Sequence, residues 1–214
     1  SATNVNYVGT GGASTDRQIT FGLAGGTSNG LKLANNSTTG GDAGAISFTS
    51  TATILHPSAN GSSARTVQLG GTQAGSNSFA GLIENNGTGV TSFTKNDAGK
   101  WILTNTSNSF TGGVALLGGT LGIDADEVLG VAGGAVKFTG NANLVATGDA
   151  TLAAARTVTV DSGKTGQFGI TSADTTTFTV DAKITGAGNV SRLSGSTFTT
   201  GRVRFTNNAN DYTG

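Results

Sequence analysis

Along this chain apolar residues recur at every second position over short stretches, and each stretch ends in a cluster of small polar residues. The clearest run is Thr91 to Ile123. There Phe93, Trp101, Leu103, Phe110, Val114, Leu116 and Leu121 alternate with polar or small residues. A period of two belongs to half-buried strands, whereas an amphipathic helix repeats every 3.6 residues. Between the strands lie Lys95-Asn96-Asp97-Ala98-Gly99, Asn105-Thr106-Ser107-Asn108, Thr111-Gly112-Gly113 and Gly118-Gly119. Such clusters turn a chain readily, because Gly accepts positive φ and Asn or Asp bonds to its own backbone.

The same pattern predicts strands at Asp16–Leu23, Leu31–Leu33, Ala45–Thr49, Ala52–Leu55, Arg65–Leu69 and Asn77–Ile83. It continues at Ala135–Phe138, Asn143–Ala146, Arg156–Val160, Gln167–Ile170, Thr177–Ile184, Val190–Leu193 and Arg202–Thr206. One helical turn is expected at Asp124–Gly130, where Asp124 can cap, Glu127 stands three residues on, and Gly130 ends the turn. The chain is therefore all-β.

Two phrases recur. Lys100-Trp101-Ile102-Leu103-Thr104-Asn105, running on to Phe110-Thr111-Gly112, aligns without gaps on Arg202-Val203-Arg204-Phe205-Thr206-Asn207, running on to Tyr212-Thr213-Gly214. Ala64-Arg65-Thr66-Val67 returns as Ala155-Arg156-Thr157-Val158, with a fainter copy at Asp16-Arg17-Gln18-Ile19. Repetition in a strand-and-turn sequence points to stacked β architecture. Sandwiches and propellers also have many short strands, but the turns here vary in length and the repeats vary in spacing. A solenoid absorbs such insertions as side loops. The expected fold is a single parallel β-helix, or β-solenoid, over residues 1–214, with one repeat unit at about 15–123 and a shorter one at about 124–214. At roughly 20 to 25 residues per coil it would hold about nine or ten coils.

Composition sharpens this. Only 11% of the 214 residues are charged and the formal net charge is zero, so no basic field invites nucleic acid or anionic membrane. Gly contributes 36 residues, and no long apolar run is present. There is no Cys, so the fold holds without disulfides, and no Met, which suits a segment of a longer polypeptide. The last repeat stops at Tyr212-Thr213-Gly214 without its completing strands, and Ser1 to Val8 opens directly as a strand. Both ends are therefore expected to be uncapped and to continue axially, into further repeats or copies of the same chain.

Candidate chemistry is sparse. Asp124, Asp126 and Glu127 form an acidic cluster that reads as a solvated turn; calcium is its functional alternative, without ligand spacing to support it. His56, the single His, sits beside Pro57 and reads as a loop residue with no partner for metal or nucleophile. Gly9-Thr10-Gly11-Gly12 and Gly70-Gly71-Thr72 lack the Lys and helix of a phosphate loop and read as coil corners. Arg17, Arg65 and Arg156 each open an expected strand, either at a solvated edge or bonded to corner carbonyls. No catalytic, cofactor or metal residue is assigned.

The residues Phe93-Thr94-Lys95, Gly99-Lys100-Trp101-Ile102-Leu103, Asn108-Ser109-Phe110-Thr111-Gly112-Gly113 and Gly119-Thr120-Leu121 resemble the passenger-associated transport repeat of autotransporters. The chain departs from it where Asp97-Ala98 and Asn105 replace Gly-containing steps. The resemblance implies a right-handed β-helix, export across the outer membrane and display on the bacterial surface, and it names no ligand. The expected function is a non-enzymatic structural segment that builds an extracellular fibre or stalk by axial stacking. The alternative is an adhesin that contacts glycans or cell surfaces through side loops at Asn35–Gly44 and Gln167–Thr177.

Overall fold

A computed structural model describes residues 2–20, 30–54, 62–171, 175–193 and 201–214. Its strands, numbered along the chain, form three parallel sheets stacked as a β-solenoid. Sheet A contains β1 (Ala2–Tyr7), β3 (Gly30–Asn35), β5 (Arg65–Gly71), β7 (Thr91–Lys95), β9 (Val114–Leu116), β11 (Val136–Phe138), β14 (Thr157–Val160) and β17 (Lys183–Thr185). Sheet B contains β2 (Ala13–Thr15), β4 (Ile46–Phe48), β6 (Asn77–Phe79), β8 (Lys100–Leu103), β10 (Gly119–Ile123), β12 (Ala142–Ala146), β15 (Thr165–Ile170) and β18 (Asn189–Arg192). Sheet C contains β13 (Ala150–Leu152), β16 (Thr177–Val180) and β19 (Arg202–Phe205).

The parallel β-helix expected from the sequence is thus observed, but with about seven turns rather than nine or ten. The cause is uneven coil length. Register places Phe93 beside Val114 and Val114 beside Val136, so coils there take 21 and 22 residues. Nearer the start, Ala2 pairs with Gly30 and Gly30 with Thr66, coils of 28 and 36 residues. Eight strands in sheet A span roughly 34 Å along the axis at ~4.8 Å per step. The expected strand at Asp16–Leu23 differs too. Ala13–Thr15 is the strand, Asp16–Ile19 is irregular, and residues 21–23 lie outside the described residues.

Alternation decides which side chains enter the core. On sheet A one inward file is Leu31, Val67, Phe93, Val114, Val136, Val158 and Ile184, all buried. On sheet B the matching files are Trp101, Leu121, Leu144 and Phe168, and Phe79, Leu103, Ile123, Ala146 and Ile170. Aromatic rings meet across the interior, with Phe138 and Phe168 centred 5.5 Å apart and Phe93 and Phe110 6.4 Å apart. Leu103 is fully buried in this stack. Leu103→Asp should cost several kcal/mol by burying an unpaired carboxylate, read as a drop in the urea midpoint. An unchanged midpoint would place Leu103 on the wrong face.

Polar side chains also enter the core, at corners. Asn77 occupies the inward sheet B file beside Trp101. Its Nδ2 donates to Lys100 O at 2.8 Å, and its Oδ1 accepts from Ile46 N at 2.9 Å and from Asn35 Nδ2 at 2.6 Å. One amide thus joins three successive coils. Asn77→Leu should cost about 1–3 kcal/mol by leaving those buried groups unpaired, a loss measurable by chemical denaturation. Full stability in that variant would refute the clasp.

Candidate functional site

The stretch the sequence singled out, 93–123, builds one and a half coils, and Lys95, Asn105 and Asn108 are buried at its corners, where they hold them. Lys95 is the last residue of β7 and points into the interior in line with Leu69 and Leu116. It is fully buried. Its Nζ donates to Asn96 O at 2.6 Å, Asp97 O at 3.0 Å and Gly118 O at 3.1 Å, tying two corners one coil apart. Burial pushes its pKa down to about 8, against the opposing pull of the Asp97 carboxylate.

Asp97 turns that corner at φ +57°, a left-handed conformation that favours Gly. This is where the family pattern has Gly and this chain does not. The Asp97 carboxylate Oδ2 accepts from Gly71 N at 2.9 Å and pairs with Lys32 Nζ at 3.2 Å. Burial favours its neutral form, but these partners outweigh that and hold the carboxyl below its usual range. Gly119, at φ +63°, closes the next corner, and a Cβ there would stand 2.4 Å from Gly99 O. Trp101, buried in the core, donates Nε1–H to Gly70 O at 2.8 Å.

The gapless repeat proves to be a corner clasp. Asn105 Nδ2 donates to Ala80 O at 2.7 Å, and Asn207 Nδ2 donates to Asp181 O at 2.8 Å. Asn108 Oδ1 accepts from Ile83 N at 2.9 Å, and Asn210 Oδ1 accepts from Ile184 N at 2.8 Å. The strands before the clasp differ, however: β8 lies in sheet B and β19 in sheet C. The clasp is a local device that fits either corner. Trp101, Leu103 and Phe110 are buried, whereas Phe205 and Tyr212 of the second copy are 42% and 40% exposed.

The Arg residues divide. Arg17 is exposed, while Arg65 and Arg156 are buried at the start of β5 and β14. Arg156 uses its whole donor set. Nε donates to Asp126 Oδ1 at 2.7 Å, and Nη1 to Leu129 O at 3.3 Å and Gly134 O at 3.0 Å. Nη2 donates to Asp126 O and Gly130 O, both at 2.9 Å. Of the two readings open in the sequence, corner carbonyls hold for Arg156.

That contact fixes the acidic cluster. A 3-10 turn covers Asp126–Leu129, preceded by Ala125, and Asp124 makes no cap. Asp126 Oδ1 also accepts from Ala153 N at 2.9 Å, so Asp126 is a structural anchor. Asp124 and Glu127 are exposed beside a shallow groove shared with Asp149. Among the described residues no three acidic, His or Cys side chains gather as metal ligands. His56 and Pro57 lie outside the described residues.

The two candidate side loops are smaller than the sequence suggests. Asn35 belongs to β3 and is buried, and Asn35 Nδ2 also donates to Gly44 O at 2.9 Å. Residues Gly41–Gly44 form a 3-10 turn, leaving Thr38 and Gly40 to Ala43 exposed. Asp42 Oδ1 accepts from Ser76 N at 2.5 Å, which lowers the pKa of Asp42 and pins the loop to the next coil. Gln167 belongs to β15 and Thr177 to β16, and residues 172–174 between them lie outside the described residues.

Residues 93–123 match the family Passenger-associated-transport-repeat. A stretch of 97 residues, 45% of this chain, is 41% identical to the Adhesin BmaC autotransporter of Brucella suis biovar 1 (strain 1330). It spans only 2% of that protein's length. No solved structure matches the chain. The clasped corners of this β-solenoid thus fall on a passenger-associated transport repeat at 93–123, and the chain is similar over 45% of its length to an autotransporter adhesin.

Proposed function

We propose that this segment is a non-enzymatic structural stretch of a bacterial passenger, displayed outside the cell, whose coils continue a fibre or stalk by axial stacking. The observation that carries the reading is the direction of the repeat's polar groups. Lys95, Asn105 and Asn108 point their donors and acceptors at backbone of neighbouring coils rather than at solvent. Outward positions on sheets A and B are mostly small or hydroxylic, as at Ser47, Ser78, Ser92, Thr94 and Ala115. Catalysis on sugars needs converging carboxylates, and Asp126 is already committed to Arg156.

Axial continuation rests on the ladders themselves. In all three sheets successive coils pair in parallel along one axis, a repeat that each added coil extends by the same hydrogen bonding. The small share of the related adhesin that this chain spans supports further coils beyond it. The similarity to an adhesin favours adhesion as the second reading, with Thr38 and Gly40–Ala43 as the exposed contact.

The test is binding of the fluorescently labelled 214-residue chain to a glycan array and to cultured epithelial cells. A scaffold gives background signal only. Saturable binding that disappears when residues 38–43 are replaced by Gly-Ser would overturn the scaffold in favour of the adhesin.

A further inference from the structure

Sheet C differs from the other two faces in how its charges are sorted. Ala150, Leu152, Phe178 and Val180 point into the core, so the intervening positions face outward. Register aligns Thr151, Thr179 and Arg204 as one outward file and sets Thr177 beside Arg202. Asp149, one residue before β13, completes the second file, and its Oδ1 accepts from Thr177 N at 2.7 Å. Beyond the other edge of β13, Asp126 ties the Asp126–Leu129 turn to Ala153, bringing Asp124 and Glu127 alongside.

Along the solenoid axis the strands of this face therefore run from acidic to hydroxylic to basic, with Asp181 just past the end of β16 accepting from Thr206 Oγ1. Asp124, Glu127 and Asp149 are exposed at one side, Thr177 and Thr179 are half-buried in the middle, and Arg202 and Arg204 are exposed at the other. Among the described residues neither Arg is ion-paired. In a chain with only 11% charged residues, such sorting is a distinct feature.

We propose that sheet C is a self-complementary face on which two copies of this chain pair side by side, with their solenoid axes antiparallel. The two-fold axis lies between the faces and runs along β16. That rotation keeps each residue's position along the strands and exchanges β13 with β19. Because Asp149 and Arg202 share one position along the strands, Arg202 of each copy faces Asp149 of the other. Thr177 and Thr179 face their own counterparts, and their small side chains let the sheets approach. Parallel axes would instead set acid on acid and Arg on Arg. An isologous contact of this kind closes after two copies. Exposed ion pairs are individually weak and screened by salt, so a single pair of faces associates weakly. A long solenoid offering several such faces associates more strongly through the raised effective concentration. The pairing is independent of whether side loops bind glycans.

Sedimentation equilibrium of the 214-residue chain tests it, with circular dichroism to confirm that each variant is folded. A dimer is expected whose dissociation constant rises about tenfold or more between about 0.05 and 0.5 M salt. Arg202→Glu with Arg204→Glu should be monomeric, and so should Glu127→Lys with Asp149→Lys. An equimolar mixture of the two reversed variants should recover the dimer, because each then carries the complement of the other. Thr179→Cys, in a chain without other cysteines, should crosslink to itself with a thiol reagent spanning about 10 Å, the spacing of facing sheets. Ala115→Cys on sheet A should not. A monomer at low salt, a dimer indifferent to both reversals, or folded reversed variants that fail to pair when mixed would each overturn the proposal.

Discussion

Arg156→Met should destabilise the chain by about 3–5 kcal/mol, the loss typical when one member of a buried, fully bonded ion pair is removed. The side chain is fully buried, and each of its N–H donors reaches Asp126 or a carbonyl of the 129–134 corner. Met fills similar volume but leaves four carbonyl contacts and the Asp126 carboxylate with nothing in place of the guanidinium. Arg156→Lys should recover little, because an ammonium has fewer donors and lacks the planar fork. Asp126→Asn, which keeps an acceptor near Nε, should cost less than either. Urea midpoints for the three variants check the order. A Met variant within about 0.5 kcal/mol of the parent would show that the corner closes without its Arg.

The Lys95 amine should make stability rise with pH across an unusual window. In the unfolded chain its pKa is the ordinary 10.5; burial lowers it to about 8 in the fold. Between those values the unfolded state binds a proton that the folded state has released, so unfolding becomes harder as pH rises. Below about 8 both states are protonated and the fold bears the full penalty of a buried charge. Above 10.5 both are neutral and the penalty is gone. The whole span is worth on the order of 3 kcal/mol at most. The neutral amine still donates to two of its three carbonyl partners, Asn96, Asp97 and Gly118, so the corner stays closed. Other groups titrate in the same range, so the informative quantity is the difference between the parent and Lys95→Met. That difference should move in favour of the parent from pH 7.5 to pH 10; a constant difference would mean that Lys95 titrates normally.

These two side chains mark the limit of what the sequence discloses. Strands whose inward residues are Phe93, Trp101, Leu103, Val114 and Leu121 were legible because apolar alternation is itself the packing rule. Lys95 and Asn77 sit at inward positions of the same sheets, but a polar residue in an alternating run reads as outward by default. What reverses them is a carbonyl-lined corner supplied by coils more than twenty residues away, as with Gly118 for Lys95. Arg156 stayed undecided for the same reason. A general spacing of roughly 20 to 25 residues per coil gives too many coils, because the early coils are longer, up to 36 residues from Gly30 to Thr66. Asn105 and Asn207, matched in the gapless repeat, each donate to a carbonyl of a neighbouring coil, yet the repeat does not say which face each preceding strand joins.

The uneven coils also have a mechanical consequence. In all three sheets the inter-coil hydrogen bonds lie along the solenoid axis, so traction on the chain ends opens a ladder bond by bond rather than shearing it whole. Each coil that peels away frees its own contour, from 21 residues at Phe93–Val114 to 36 at Gly30–Thr66. At about 3.4 Å per extended residue those lengths are roughly 70 and 120 Å. A rod of uniform pitch is therefore a shock absorber with graded steps, short through the 93–123 repeat and longer through the coils before it.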